Sequence, residues 1–133
     1  MSIKKFEQVH VSESGQAIVV TGICPDGANG MPVRGEVSAS EVSPGKWWVN
    51  RALVKPDDQR GHGLGTQLLH TLLATLVAKD SFKHVLVEPG GYNMPVGRQR
   101  KFYKRSGFKA ARKLPGVLRW TKKEMKHVKA SVS

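Results

Sequence analysis

A short glycine-rich run is the part of the chain best suited to bind a ligand: Gln59, Arg60, Gly61, His62, Gly63, Leu64 and Gly65. Glycines spaced in this way let backbone N–H groups converge on an anion. Residues 66–79, directly after the run, have a helical pattern, and a helix there adds its positive N-terminal pole. Residues 49–54 before it have the composition of a strand. The run therefore predicts a pyrophosphate cradle at a strand-to-helix turn.

The run does not match two common nucleotide-binding motifs. It lacks the Gly-Lys-Ser/Thr triplet of a nucleoside-triphosphate loop and the two-residue gap of a dinucleotide fingerprint. Because the chain is rich in glycine, a chance pair at this offset is expected about once per chain, so the prediction depends on the flanking strand and helix. A pyrophosphate ligand other than ATP or NAD is expected.

The composition predicts one globular domain in the cytosol. A chain of 133 residues with 39% hydrophobic residues can bury a core. It contains neither an apolar run of roughly 18 residues nor a signal-peptide core, so no membrane partner is expected. Cys24 is the single cysteine and the five histidines lack paired ligand spacing. Neither an intrachain disulfide nor a metal site is expected.

The formal charge of +12 is concentrated at one end of the chain. Residues 98–133 contain 13 of the 22 lysines and arginines, but only Glu124 of the ten acidic residues. Such a field attracts phosphates, nucleic acid or an acidic protein. A solubilising basic tail over about residues 122–133 is the alternative.

Four strand-like segments precede the glycine run and predict an antiparallel meander; they cover residues 6–11, 16–23, 33–41 and 46–54. In the third, Val33, Gly35, Val37 and Ala39 alternate with polar residues, which indicates a sheet with one buried face. Residues 24–32 look irregular. They either face a substrate or form the tip of a long hairpin, and we favour the tip.

A helix that covers the sheet is predicted after the glycine run. Its apolar stripe comprises Leu64, Leu68, Leu69, Leu72, Leu73, Leu76 and Val77. His70 lies off this stripe and is expected to face solvent. Residues 82–87 then predict a strand buried on both faces and parallel to the fourth strand, because a helix connects the two.

The remainder predicts a second helix and a final hairpin. Asn93 can cap a helix over about residues 94–106, which ends at Gly107. Residues 108–113 and 117–122 form the hairpin, and residues 126–133 are expected to fray.

Two separated motifs together resemble the GCN5-related N-acetyltransferase (GNAT) family. The first is Val54-Lys55-Pro56 with Arg60-Gly61-His62-Gly63-Leu64-Gly65 and Leu68-Leu69, and the second is Phe102-Tyr103-Lys104-Arg105-Ser106-Gly107-Phe108. The match covers about residues 46–120. The resemblance implies an α+β fold with a mixed, mostly antiparallel sheet, a central parallel pair and two main helices. Its fourth and fifth strands splay apart, and the N-terminal helices of the family are reduced or absent here.

The resemblance implies acetyl-CoA as the co-substrate and no metal. The pantetheine arm enters between the splayed strands, where backbone groups of Leu53 and Val54 pair with it. The amides of residues 60–65 hold the pyrophosphate. The physical chemistry agrees, since a helix N-terminus stabilises an anion by up to ~2 kcal/mol in good geometry.

By the same resemblance, Tyr103 protonates the departing coenzyme A thiolate. The alternative is a core aromatic residue that packs beside Phe102, and we favour catalysis. Asn93 could hydrogen-bond the pantetheine arm, although helix capping suits its position better.

The acceptor amine must lose a proton before it attacks the thioester. Glu88, at the end of the presumed fifth strand, is the first candidate for the base, and a solvated glutamate is its equal alternative. Glu36 and His62 follow. The Val54 amide could stabilise the oxyanion of the tetrahedral intermediate.

Two departures from the family pattern affect the site. One extra residue separates Pro56 from Arg60, so Gln59 or Arg60 could take the phosphate contact. Residues 1–50 show no helical period, although the family usually has one or two helices after the first strand. A partner chain, including a second copy in a homodimer, or residues 24–32 would then form the acceptor wall.

We predict an N-acetyltransferase that moves an acetyl group from acetyl-CoA to a primary amine, carried by an acidic protein or an RNA. The alternative is a catalytically inactive basic module of the same fold that binds nucleic acid or inhibits a partner. In that alternative Trp47, Trp48 and Trp120 would stack on bases, although paired tryptophans on a strand are usually core residues.

Overall fold

Alternation of apolar and polar residues produces the predicted meander at the start of the chain. A computed structural model describes residues 5–28, 30–55, 63–90 and 96–128, with the backbone alone at 26–28. Its elements are β1 (Gln8–Ser14), β2 (Ala17–Ala28), β3 (Met31–Ser43), β4 (Lys46–Lys55), α1 (Leu64–Val77), β5 (His84–Val87), α2 (Val96–Lys104), β6 (Lys109–Ala110), β7 (Leu118–Trp120) and a 3-10 helix (Lys122–His127).

The described strands form one mixed sheet in the order β1-β2-β3-β4-β5-β7-β6. The first four pair antiparallel with their chain neighbours. β4 and β5 are parallel, as the helix between them predicts, and β7 then pairs antiparallel with β5 and with β6. The expected parallel pair within a mostly antiparallel sheet is confirmed.

One face of the sheet is packed under α1. Val33, Val37 and Ala39 are buried on that face, as their alternation predicts. The helix turns its leucines toward them, and Leu64, Leu68, Leu69, Leu72, Leu73 and Leu76 are all buried. The predicted stripe is confirmed, and full burial of each leucine contributes about 1.5–3 kcal/mol to holding the helix in place.

The N-terminal segment packs over a pair of glycines. Gly22 on β2 lies opposite Gly35 on β3. A Cβ at Gly22 would lie 2.5 Å from the Phe6 ring, and a Cβ at Gly35 would lie 2.8 Å from both Phe6 and Leu68. The backbone N–H of Phe6 also donates to Oε1 of Gln67 at 2.8 Å. The missing side chains therefore make the trough that holds Phe6 against the sheet and α1.

Three boundaries differ from the sequence prediction. The segment 24–32 is less irregular than expected, because β2 continues to Ala28 and β3 begins at Met31, with a register irregularity between Cys24 and Ala28. It is the tip of a long hairpin, the alternative that we favoured. The final hairpin is shorter than expected, since it pairs only β6 with β7.

The third difference concerns the basic end. Lys122–His127 forms a 3-10 helix, and Val128 is 7% exposed and belongs to the core. The prediction of fraying from residue 126, and of a tail from 122, is therefore wrong as far as residue 128. Residues 129–133 lie outside the described part of the chain.

Candidate functional site

The parallel ladder between β4 and β5 is short. It pairs Lys46, Trp47 and Trp48 with His84, Val85 and Leu86, whereas β4 continues to Lys55. At about 3.3 Å per residue, β4 runs roughly 23 Å beyond the last pair. The ladder covers three of the four residues of β5 but only the start of β4, and the predicted site residues Leu53 and Val54 lie on the part of β4 past it.

A bulge in β4 turns this part of the strand. Ser38 pairs with Arg51 and Ala39 pairs with Val49, so Asn50 is an extra residue. Its Nδ2 donates to the Ser40 hydroxyl at 2.6 Å. A bulge bends a strand and increases its twist. The extra residue also changes which side chains of β4 face α1, so that Val54 points to the sheet face that α1 covers.

The start of α1 has the features of an anion site. Gly63 is the N-cap residue, with φ 89°, and no side chain caps the helix there. The first turn contains no acidic residue. Its amides and the helix dipole therefore present positive charge, and no residue of that turn carries a carboxylate that would neutralise it.

Three predicted segments meet at this helix end. A Cβ added to Gly65 would lie 3.2 Å from the Phe102 ring of α2 and 3.9 Å from Cγ2 of Val54. Leu64 is buried and contributes to the core. The glycine run, β4 past the ladder and α2 are thus side by side, although they are distant in sequence.

Tyr103 lies at the centre of an aromatic cluster. It is 4% exposed, and its ring meets those of Phe102 and Phe108 edge to face, with centroids 4.9 Å and 5.3 Å away. Burial raises the pKa of Tyr103 well above its usual value. The phenol therefore stays protonated at neutral pH, the form that a proton donor requires.

A buried polar link that the sequence did not reveal holds the end of α2. Nε2 of His70 lies 2.9 Å from the Ser106 hydroxyl, and the Trp120 indole donates to the Ser106 carbonyl at 2.8 Å. His70 is buried, so the prediction that it faces solvent is wrong. The helical stripe is wider than assumed, because α1 packs against the turn after α2 as well as against the sheet. The spacing of His70 from Leu73 and Val77, three and seven residues on, could have indicated this.

Ser106→Ala is expected to lower the free energy of unfolding by about 1–3 kcal/mol, because it removes a buried hydrogen-bonding group. Urea unfolding measures the loss. Ser12→Ala, on an exposed position of β1, is the matched control and should change stability by less than about 0.5 kcal/mol. Equal effects of the two substitutions would show that the link is not structural.

Two of the three candidate bases, Glu88 and Glu36, lie in the described part of the chain. Glu88 is exposed and directly follows β5. Glu36 is half-buried on β3, opposite Leu53 on β4 and 3.7 Å from the Arg51 guanidinium. Leu53 and Glu36 therefore lie on the sheet face that points away from Val54.

Five predicted site residues fall outside the described part of the chain: Gln59, Arg60, Gly61, His62 and Asn93.

Two of the three tryptophans cannot stack on bases. Trp47 and Trp120 are buried in the core, and Trp48 is half-buried on the other face.

Over the described ranges, no helix is long and apolar enough to cross a membrane. Those same ranges contain no group of three or more His, Cys, Asp or Glu residues that could hold a metal ion.

Solved structures share this fold, although comparison of the sequence with family models and curated proteins finds no match. Among solved structures, the aminoglycoside acetyltransferase AAC(6')-Ib in complex with coenzyme A and kanamycin is similar, with a TM-score of 0.61 and 19% identity over 84% of this chain and 70% of that one. The chain has a GNAT-like fold.

Two further solved structures are also similar to this chain. One, from Desulfovibrio desulfuricans, is described as a GNAT acetyltransferase; its TM-score is 0.60, with 19% identity over 80% of this chain and 69% of that one. A KacTA–DNA complex has a TM-score of 0.58, with 14% identity over 86% and 73%. The predicted mixed sheet with one parallel pair among its described strands is consistent with these neighbours.

Proposed function

We propose that the protein is an acetyl-CoA-dependent N-acetyltransferase. The observation that carries the proposal is the grouping of three features beside Val54, near the far end of β4: a helix N-terminus whose N-cap residue is a glycine, the close packing at Gly65 and the helix that bears Tyr103. A pyrophosphate at the start of α1 would direct the pantetheine arm along β4. The AAC(6')-Ib neighbour, which is in complex with coenzyme A and kanamycin, supports a thioester donor and an amine acceptor.

In the proposed reaction the acceptor amine attacks the thioester carbonyl, and a carbon–nitrogen bond forms. We assign the stabilisation of the oxyanion of the tetrahedral intermediate to the Val54 amide. The carbon–sulfur bond then breaks, and Tyr103 gives its proton to the thiolate. The amine proton goes to Glu88 or to His62, or through water to Glu36, which lies on the opposite face of the sheet from Val54.

The substrate of this reaction is proposed to be a primary amine on an acidic macromolecule. The uneven charge is the reason: one end of the chain is strongly basic, and such a field raises the local concentration of acidic partners. Part of this charge could instead meet the phosphates of coenzyme A. A panel of amines, including an aminoglycoside, acidic proteins and RNAs, incubated with labelled acetyl-CoA would identify the acceptor. Lack of transfer to every member would exclude these acceptor classes.

A thermal-shift titration with acetyl-CoA tests coenzyme binding before any acceptor is known. At a concentration of 100 Kd, a ligand that binds only the folded protein stabilises it by about 2.7 kcal/mol. We therefore expect the melting temperature to rise by several degrees. An inactive nucleic-acid-binding module would show no such rise, and its absence would remove the basis of the proposal.

Substitution of Gly65 separates binding from stability. Alanine favours a helix by up to about 1 kcal/mol over glycine, so Gly65→Ala should keep the melting temperature or raise it. Its methyl group would press on Phe102, 3.2 Å away, and should reduce the shift given by acetyl-CoA. Gly65→Val should abolish this shift. A full shift in the valine variant would show that the coenzyme does not approach the backbone here.

A further inference from the structure

The cations of the last third of the chain belong to the folded surface. The 3-10 helix carries Lys122, Lys123, Lys126 and His127, and Val128 ties its end into the core. The nine-residue helix α2 contains Arg98, Arg100, Lys101 and Lys104 and no acidic residue. The positive charge therefore has a fixed arrangement, at least as far as residue 128.

Three of the basic residues of this region meet at one place on the surface. Lys104, Lys109 and His127 line the same open hollow of about 400 Å³, together with Gly107, Phe108 and Ala110. The hollow joins the end of α2 to β6 and the 3-10 helix. We call the basic surface the set Lys101, Lys104, Arg105, Lys109, Lys122, Lys123, Lys126 and His127.

The single carboxylate of this region is already engaged. Glu124 has a side chain that is only 12% exposed; its Oε1 lies 2.9 Å from Nζ of Lys109 and its Oε2 lies 3.4 Å from Nε2 of His127. The hydrogen bond from Lys109 holds the pKa of Glu124 below its usual range. Glu124 therefore stays ionised at neutral pH and offsets little of the exposed positive charge.

Like charges are also placed together next to the hollow. Lys109 lies opposite Arg119 in the β6–β7 ladder, and like charges directly opposite each other destabilise a strand pair. Glu124 is the single carboxylate among the many cations of residues 98–133, so an external anion would offset the remaining positive charge.

We propose that the basic surface binds the phosphate backbone of a nucleic acid. A chain of phosphates needs repeated cations and little else, whereas a stable protein partner generally needs an aromatic or apolar anchor at the centre of its interface. Among the described residues that line the hollow there is no such anchor, because Phe108 is only 2% exposed. Lys104 directly follows Tyr103, so a bound nucleic acid would reach the edge of the candidate site. The binding does not depend on the proposed acetyl transfer.

Fluorescence anisotropy with labelled single-stranded RNA and duplex DNA of about 20 nucleotides, between about 50 and 200 mM salt, tests this proposal. The test variant replaces Lys104, Lys123 and Lys126 by glutamine. A matched control replaces Lys5, Arg34 and Lys83, which are also exposed, so that both variants lose the same charge. The test variant should bind more weakly, and its slope of log K against log salt should fall by about 2–3, or about 0.7–0.9 for each lost phosphate contact. The control should keep most of the parent slope.

Three results would overturn the proposal: no binding to either nucleic acid at the lowest salt, equal weakening in both variants, or tighter binding of an acidic polyglutamate peptide than of RNA and DNA. The ratio of RNA to DNA affinity identifies which nucleic acid is preferred. Melting curves with and without acetyl-CoA show whether the variants fold and keep the coenzyme site. Failure of this proposal is thereby distinguished from failure of the proposed function.

Discussion

Tyr103→Phe is expected to lower kcat for acetyl transfer by about 10²–10⁴-fold, the usual contribution of a positioned proton donor. The substitution removes only the hydroxyl. The edge-to-face contacts with Phe102 and Phe108 remain possible, because they are made by the ring. The KM for acetyl-CoA and the melting temperature should therefore stay close to those of the parent. Steady-state kinetics with an identified acceptor measures the effect.

The pH profile tests the same assignment independently. Because burial raises the pKa of Tyr103, the parent phenol stays protonated across about pH 6–9. The parent should then show no alkaline loss of kcat from this group, and the deficit of Tyr103→Phe should be constant over that range. Turnover equal to that of the parent at every pH would make Tyr103 a core aromatic residue only.

Loss of Trp120 should be the most damaging change to stability. Trp120→Ala is expected to cost about 3–5 kcal/mol, as is usual for a large buried aromatic residue. The indole is fully buried, packs near Phe82 and Phe108, and donates its N–H to the Ser106 carbonyl. Trp120→Phe isolates the hydrogen bond, because it leaves that carbonyl without this donor.

Trp47 offers a matched comparison. Its indole N–H is also buried, but it has no hydrogen-bond partner in the described part of the chain. Trp47→Phe removes a polar group that costs free energy to bury, whereas Trp120→Phe removes a group that is satisfied. Urea unfolding should therefore show a clearly smaller loss for Trp47→Phe. If the two losses were equal, the bond between Trp120 and Ser106 would contribute nothing measurable.

The spacing of apolar residues was sufficient to predict the elements that bury one face along their whole length. The leucine spacing of α1 and the alternation in β3 each follow from one buried face, so these elements could be predicted from neighbouring residues. The parallel pair followed from a strand, a helix and a strand in succession. The glycine run was interpreted as a cradle for an anion, and the packing of Phe102 and Val54 against Gly65 was not predicted.

Features that depend on distant pairing could not be predicted. The Ser106 hydroxyl and the His70 ring are hydrogen-bonded although they are 36 positions apart in the chain. The residues around each of them do not indicate that the two are in contact. β6 contains two residues and is a strand only because β7 lies beside it. The 3-10 helix looked like a solvated tail because its sequence is basic, but Met125 and Val128 pack it against the core.

The trough under Phe6 has a consequence for synthesis of the chain. Its walls come from Gly22, Gly35 and Leu68, and its hydrogen bond comes from Gln67, all of which follow Phe6 in sequence. During translation Phe6 leaves the ribosome first, yet the surface that accepts it is complete only when most of α1 has emerged. The side chain of Phe6 therefore cannot be buried in this trough until Leu68 has emerged.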